Sequence, residues 1–312
     1  MSKYVLFRLV LLIPIILGVS FVVFSIMALT PSDPARMILG ERAEEEAIKQ
    51  LNEELGFYDP FLVRYARFVK NAVTKFDFGT SYLTKEPVMK EVVDRFPNTL
   101  LLAMLSVFVS ALIGIPLGIL SAVKQYSIAD GVASVTAMFF AAVPGFWLAM
   151  MSMLIFSLWL GIFPASGVGT WKHYVMPVMT STIPAAAQLL RLTRSTMLET
   201  IRQDYIRTAR AKGASEQRVI FSHALKNALL PLITILGINF GKQLSGVIVV
   251  ESIFSIPGLG QLLVTSIKNK DIPQVMACTL FMALLFCIII LIVDLLYAFV
   301  DPRIKAKYAR TR

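Results

Sequence analysis

Six long apolar stretches constrain this chain more than any other feature. The first, Leu9–Leu29, extends about 30 Å as a helix at 1.5 Å per residue, matching the hydrocarbon thickness of a bilayer. The others fall at residues 99–123, 132–160, 174–190, 228–250 and 275–300. In lipid the backbone must satisfy its own N–H and C=O groups, and for separate runs of this length a helix does so. With 56% hydrophobic and 16% charged residues, the chain has too little charge to cover a water-soluble domain of 312 residues. The expected fold is an all-α membrane protein with six transmembrane helices. Pro177 and Pro184 interrupt the fourth stretch, so neighbouring helices must satisfy the groups they free.

Positive charge orients the helices, because cytoplasmic loops retain Lys and Arg. The long segment 30–98 is left out, since the rule weakens for long translocated stretches. One side then carries sixteen such residues: Lys3, Arg8, Lys124, eight within 191–226 and five within 303–312. The other carries Lys172, Lys268 and Lys270. Both termini, the Lys124 turn and the 191–226 loop are expected in the cytoplasm. The formal net charge of +10 then reflects membrane topology and contact with lipid rather than nucleic-acid binding. A cleaved signal peptide would have a shorter apolar core and a small-x-small end, which Ile26 and Ala28 do not provide, so the first helix is expected to be retained. The chain divides into an N-terminus with the first span (1–29), an extracytoplasmic segment (30–98), a core of five spans (99–300) and a basic cytoplasmic tail (301–312).

Within 30–98, Ile48, Leu51 and Leu55 recur at helical spacing, as do Phe61, Tyr65, Phe68, Ala72 and Phe76 beyond the Asp59-Pro60 break. Amphipathic helices are expected there. They lie either on the membrane surface, which Arg64, Arg67 and Lys70 would suit, or as a cap on the bundle.

Catalytic patterns are missing from the sequence: it has no GxSxG, no HExxH and no paired carboxylates within the spans. Gly237-Ile-Asn-Phe-Gly241-Lys242 has the wrong spacing for a phosphate-binding loop and sits in an apolar helix, so any ATP must be bound by another chain. His173 and His223 fall on opposite sides of the membrane, and Cys278 and Cys287 sit nine residues apart on opposite faces of one helix. Neither pair suggests a metal site or a disulfide. Ionisable residues inside spans are functional candidates, and here they are Lys242 and Asp294. They are expected about 12 Å apart along the membrane normal, too far for a direct ion pair.

The cytoplasmic loop carries the strongest local pattern. Leu198, Ile201, Tyr205, Ala209 and Lys212 keep a 3.6-residue rhythm up to Gly213, a suitable helix C-terminus, and Ser215 can cap the helix that follows. Two short helices joined at Gly213 would make a compact basic knob. It would dock a partner protein or, on charge alone, meet anionic lipid.

This loop resembles the coupling loop of the permease subunits of bacterial ABC importers, in the dipeptide, oligopeptide and nickel branch. The likeness rests on Tyr205-x-x-Thr208-Ala209-Arg210-Ala211-Lys212-Gly213 and on His223-x-Leu225-x-Asn227-x-Leu229-x-Pro231. Thr30-Pro-Ser-Asp-Pro34, Phe78-Gly-Thr-Ser81, Arg95-Phe-Pro-Asn-Thr99, Val143-Pro-Gly-Phe-Trp147, Phe163-Pro-Ala-Ser-Gly167 and Val250-Glu-Ser-Ile-Phe254-Ser-Ile-Pro-Gly-Leu-Gly260 extend it along nearly the whole chain. The chain departs from the wider family's EAA pattern, having Arg207-Thr208-Ala209 where Glu-Ala-Ala would stand, so that acidic contact is not carried over. The later Leu-Pro is displaced too, with Lys226 after Leu225.

The resemblance implies a type I importer permease of the first-permease kind in the bacterial inner membrane. It also implies a heterodimer with a second homologous permease, two ATP-binding subunits that dock on the loop, and an external solute-binding protein. The chain itself would hold no cofactor. Coupling residues carried over are Tyr205, Thr208, Ala209, Arg210, Ala211, Lys212, Gly213, Ser215, His223, Leu225 and Asn227, and Phe146, Trp147 and Lys242 are candidates for the translocation path. The implied solute is a di- or oligopeptide, with nickel, a metallophore or glutathione as alternatives in the same branch. An ion-coupled carrier working alone would show paired buried charges, half-helices and an internal repeat, and a scaffold would hold a partner without passing solute.

Overall fold

In the computed structural model, which describes residues 2–300, the first apolar run forms α1 (Ser2–Leu29). The 30–98 segment folds into α2 (Pro34–Leu39), α3 (Glu45–Glu54) and α4 (Phe61–Lys75). Asp33 starts α2 by accepting the Arg36 N–H at 3.2 Å, and Asn52 of α3 locks that turn. The Asn52 amide donates to Asp33 at 2.8 Å while its oxygen accepts the Ala35 N–H at 3.2 Å. α4 turns Phe61, Tyr65 and Phe68 onto Phe21 and Phe24 of α1, with ring centroids 5.2 to 5.9 Å apart. Its other face leaves Leu62 and Val73 exposed. The helix is therefore both packed on the bundle and apolar on its outer side.

The core begins with α5 (Val88–Val123), which starts eleven residues before the expected span and carries Pro97 and Pro116 in its interior. Its partner is α8 (Lys172–Ile201), and small side chains bring the two together. Ser106, Ser110, Gly114 and Gly118 recur every four residues along one face of α5. A Cβ at Gly114 would lie 2.7 Å from the Ala186 carbonyl oxygen, and one at Gly118 would lie 2.5 Å from Thr193 Cβ. The expected third span is broken at Val143-Pro144 into α6 (Ile128–Ala142) and α7 (Gly145–Ser152), the latter continuing as a π-helical turn, Met153–Trp159; the two arms meet at 96°.

Beyond α8 come α9 (Asp204–Ala211) and α10 (Glu216–Arg218), then a π-helical turn, Val219–Ala224, that runs directly into α11 (Leu225–Gly246). α12 (Ile248–Ile253), α13 (Leu259–Lys268) and α14 (Ile272–Val300) complete the bundle. α11 and α14 cross closely because Gly237 and Gly241 present bare backbone to Val293 and Phe286. That pair of glycines is a helix-packing motif, which accounts for its failure to match a phosphate-binding loop.

Three helices among the described residues are long and apolar enough to cross a membrane: Leu9–Leu29, Val88–Val123 and Ile272–Val293. Counting each bent pair as one span brings the number to five. The expected fourth span lies in α8 and falls short on apolarity, because Thr180, Ser181, Thr182 and Gln188 interrupt it. Phe108, Leu112 and Val135 are more than 60% exposed on the outer surface, a belt that only lipid or another apolar partner can cover. The basic tail 301–312 and the Asp294 side chain lie outside the described residues.

Candidate functional site

The basic end of the bundle is built around one buried side chain that the sequence pattern did not single out. Ile206, fully buried in α9, packs against Ile119 and Ala122 at the end of α5, Met197 of α8, and Val219 and Ala224 of the π-helical turn. This cluster docks α9 on three other elements, so the knob is seated on the bundle rather than hanging from it. Ile206 lies one residue off the Tyr205 and Ala209 rhythm that suggested the helix. That rhythm is itself broken, because α8 ends at Ile201 and a new helix starts at Asp204.

The turn at the far side of α9 has the required geometry. Gly213 has φ +79°, the left-handed region in which a side chain is strained. A Cβ there would meet nothing within 4 Å, so the demand is purely conformational. Ser215 occupies the N-cap position of α10 with extended backbone, but its side chain makes no capping hydrogen bond. What holds the corner is Arg210, whose Nε and guanidinium NH2 donate to the two Glu216 carboxylate oxygens at 2.7 and 3.1 Å. That pairing lifts the Arg210 pKa and holds the Glu216 carboxyl below its ordinary range. With the folded-state carboxyl depressed, the stabilisation is present above the ordinary carboxylate pKa and is lost as pH falls through the lower one, so the corner stays closed at neutral pH. The expected pair of short helices is thus one short helix, a glycine corner and the start of a long helix. On the outer surface stand Tyr205, Arg207, Thr208, Ala211, Lys212, Arg218 and Phe221, with Ala209 half-buried. Asn227 donates to the Tyr205 hydroxyl at 3.0 Å and to the His223 carbonyl at 2.8 Å, stitching α9 to α11; Leu225 packs at the edge of the Ile206 cluster.

Next to the knob, Asp130 of α6 is 4% exposed and receives Arg194 of α8 in a two-point contact at 2.6 and 2.8 Å, with the Ser121 hydroxyl also donating to it. One carboxylate thereby ties α5, α6 and α8 together at their basic ends. In the sequence, Arg194 was one positive charge among eight and Asp130 fell between spans, so nothing in the linear pattern paired them. At the opposite end Glu251 is fully buried, and among the described residues no cation pairs with it. It accepts from the Thr99 hydroxyl at 2.6 Å and from the Gly260 and Gln261 N–H groups at 2.8 and 3.1 Å, so its carboxyl group rests on the N-terminus of α13. This explains why Glu251 and Gly260 stand where they do in the Val250–Gly260 stretch. The Phe78–Ser81 stretch has a similar use: Ser81 Oγ and the Tyr82 N–H both donate to buried Asp271, tying the outer segment to the start of α14. Burial there pushes the Tyr82 hydroxyl up to about 12.

Midway along the bundle, α8 and α11 open a cavity of about 450 Å³ lined by Ser181, Gln188, Arg191, Asn239, Lys242 and Gln243 among others. A neighbouring cavity of about 360 Å³, sharing Ser181, Pro184 and Gln243, is lined by Gly145, Phe146, Val249 and Val250. The Gln243 amide donates to the Ser181 carbonyl at 3.4 Å, joining the two helices across this track. Lys242 is exposed to the first cavity and Phe146 to the second; Trp147, 45% exposed, lines neither.

A helical bundle with an apolar belt, a docked basic knob at one end and a polar track in its depth has the architecture of a membrane permease subunit. The chain belongs to the family described as binding-protein-dependent transport system inner membrane component, whose model matches residues 114–306, with the family's N-terminal model matching residues 1–103. It is 41% identical over 307 residues to the glutathione transport system permease protein GsiC of Salmonella paratyphi A, covering 98% of this chain and 100% of that one. It is 40% identical to the dipeptide transport system permease protein DppB of Alkalihalophilus pseudofirmus and 41% to the oligopeptide transport system permease protein AppB of Bacillus subtilis, again covering 98% of this chain and 100% of each. The fold matches an inward-facing structure of the MetNI methionine ABC transporter with a TM-score of 0.58 at 21% identity, over 69% of this chain and 99% of that one. A crystal structure of an amino acid ABC transporter with histidines gives 0.56 at 14%, over 67% and 94%.

Proposed function

We propose that this chain forms the membrane path of an ATP-driven importer for di- or oligopeptides, working beside a second homologous permease as a heterodimer. An external binding protein delivers the solute, and two separate subunits bind the ATP. The chain itself carries no ATPase site and no cofactor, and both its termini lie in the cytoplasm. The relatives named for dipeptide, oligopeptide and glutathione transport support a solute of peptide size, and glutathione is the second reading for that reason. The excess of Lys and Arg at the knob end supports the orientation.

The observation that carries the coupling role is the seating of the knob. Ile206 seats α9 in one buried cluster with residues of α5, α8 and the π-helical turn at the root of α11, so a push on the exposed basic surface is delivered to that cluster. In this reading the ATPase contacts come from Tyr205, Thr208, Ala209, Arg210, Ala211 and Lys212, while Gly213, Ser215, His223, Leu225 and Asn227 hold the corner and its root. Lys242 and Phe146 face the translocation path, and Trp147 borders it.

The test is ATP-driven uptake of a labelled dipeptide by the assembled transporter in proteoliposomes. Gly213→Val, a β-branched residue in a left-handed conformation that costs even an unbranched one about 1–2 kcal/mol, is expected to insert normally and lose most uptake. Gly213→Asn, which tolerates that region, should keep most of it. Wild-type uptake by well-expressed Gly213→Val would overturn the docking role.

A further inference from the structure

We infer that the cavity between α8 and α11 is a carboxylate subsite, built to hold the free C-terminal carboxylate of a peptide as it passes through the membrane. The inference rests on the permease reading above and adds to it the ligand chemistry of one place on the path. Arg191 and Lys242 both line this cavity, and among the described residues no Asp or Glu does. Among the described residues neither forms an ion pair; the neighbouring Arg194 is engaged by Asp130. Arg191 and Lys242 are both exposed to this cavity, and two cations facing one cleft present positive charge that an anionic ligand would complement.

A second, independent observation points the same way. Asn239, only 5% exposed and lining the cavity, has a buried side-chain N–H2 with no hydrogen-bond partner. A buried amide donor is ordinarily satisfied, and a missing partner marks a place where an acceptor is expected. Lys242, Arg191 and Asn239 are all donors, and a carboxylate offers only acceptors. Gln243 differs from them: one of its amide N–H groups goes to the Ser181 carbonyl, and its oxygen can accept from a peptide N–H. Beyond it the second cavity is apolar around Phe146, Val249 and Val250 and suits a side chain. At about 450 and 360 Å³ the two cavities are the size of small-molecule sites.

The experiment uses the whole transporter in proteoliposomes, with labelled dialanine and its C-terminal amide as paired solutes. The binding protein is common to every variant, so its own preference cancels when variants are compared by the ratio of the two uptakes. Lys242→Gln is expected to lower dialanine uptake about tenfold while leaving amide uptake unchanged, and Lys242→Arg to retain the wild-type ratio. As a second measurement, dialanine but not its amide should protect the detergent-purified complex, free of binding protein, from labelling by a photoreactive dipeptide, and Lys242→Gln should abolish that protection. An equal loss of both solutes in Lys242→Gln overturns the subsite, as does unchanged dialanine uptake. Dissociation of the two permeases in Lys242→Gln also overturns it, by showing that a carboxylate of the partner permease neutralises the lysine. If the wild-type transporter takes up no dipeptide at all, the permease reading itself fails and the subsite falls with it.

Discussion

Asp130 shows how much a single residue can carry in this bundle. Its carboxylate, 4% exposed, accepts from Arg194, Ser121 and the Tyr126 N–H, so three helices converge on one charge. Removing one partner of such a pair strands the other, at about 3–5 kcal/mol when burial is complete. Arg194 keeps 27% of its side chain exposed, so the lower end of that range applies. Arg194→Ala should lower the thermal midpoint of the purified protein by several degrees, whereas Asp130→Leu with Arg194→Met should restore most of the loss; a double variant as unstable as the single one would show that the charges matter beyond their pairing. Gly213 is the contrasting case. Its place at the end of a helical rhythm was legible in the sequence, because only the local backbone makes the demand, and its φ of +79° meets it. The Asp130 pair was not legible, since its partners lie 64 positions apart and each side chain looked like an ordinary surface charge.

At the level of elements, α5 and α8 are held by what their facing surfaces lack. Gly118 lies 2.7 Å from the Leu190 carbonyl oxygen by the measure of an added Cβ, and neither neighbour is a flexible side-chain tip that could swing away. Gly118→Ala is therefore expected to cost about 1–3 kcal/mol through overpacking and to lower the thermal midpoint. Gly131→Ala in α6, where an added methyl group meets nothing within 4 Å, should be neutral or slightly stabilising through helix propensity. Comparable effects at the two positions would sink the close-packing account. The four-residue repeat of Ser106, Ser110, Gly114 and Gly118 was present in the sequence, but it does not name its partner helix. Boundaries were hidden for a related reason: α5 gains eleven residues at its start because Val88 and Val92 are buried against α13 and α14, which hydropathy alone does not register.

Across the whole molecule the outer segment and the core act as one body through a few polar ties. Asp271 holds Ser81 and Tyr82, and Lys270 donates to the Pro31 carbonyl. Asp271→Ala should free the stretch before α5 and make it sensitive to limited proteolysis in the purified protein while the core stays resistant; unchanged resistance would place the anchoring in the aromatic contacts of α4 instead. Hydropathy and motif order were enough to read a helical inner-membrane permease of the peptide branch, because lipid burial and short motifs are properties of contiguous sequence. The break of the third stretch at Pro144, the polarity of α8, the seating of the knob on Ile206 and the meeting of Arg191, Asn239 and Lys242 around one cavity depend on which helices pack together. Those contacts join residues tens of positions apart, and the tertiary structure alone brings them within reach.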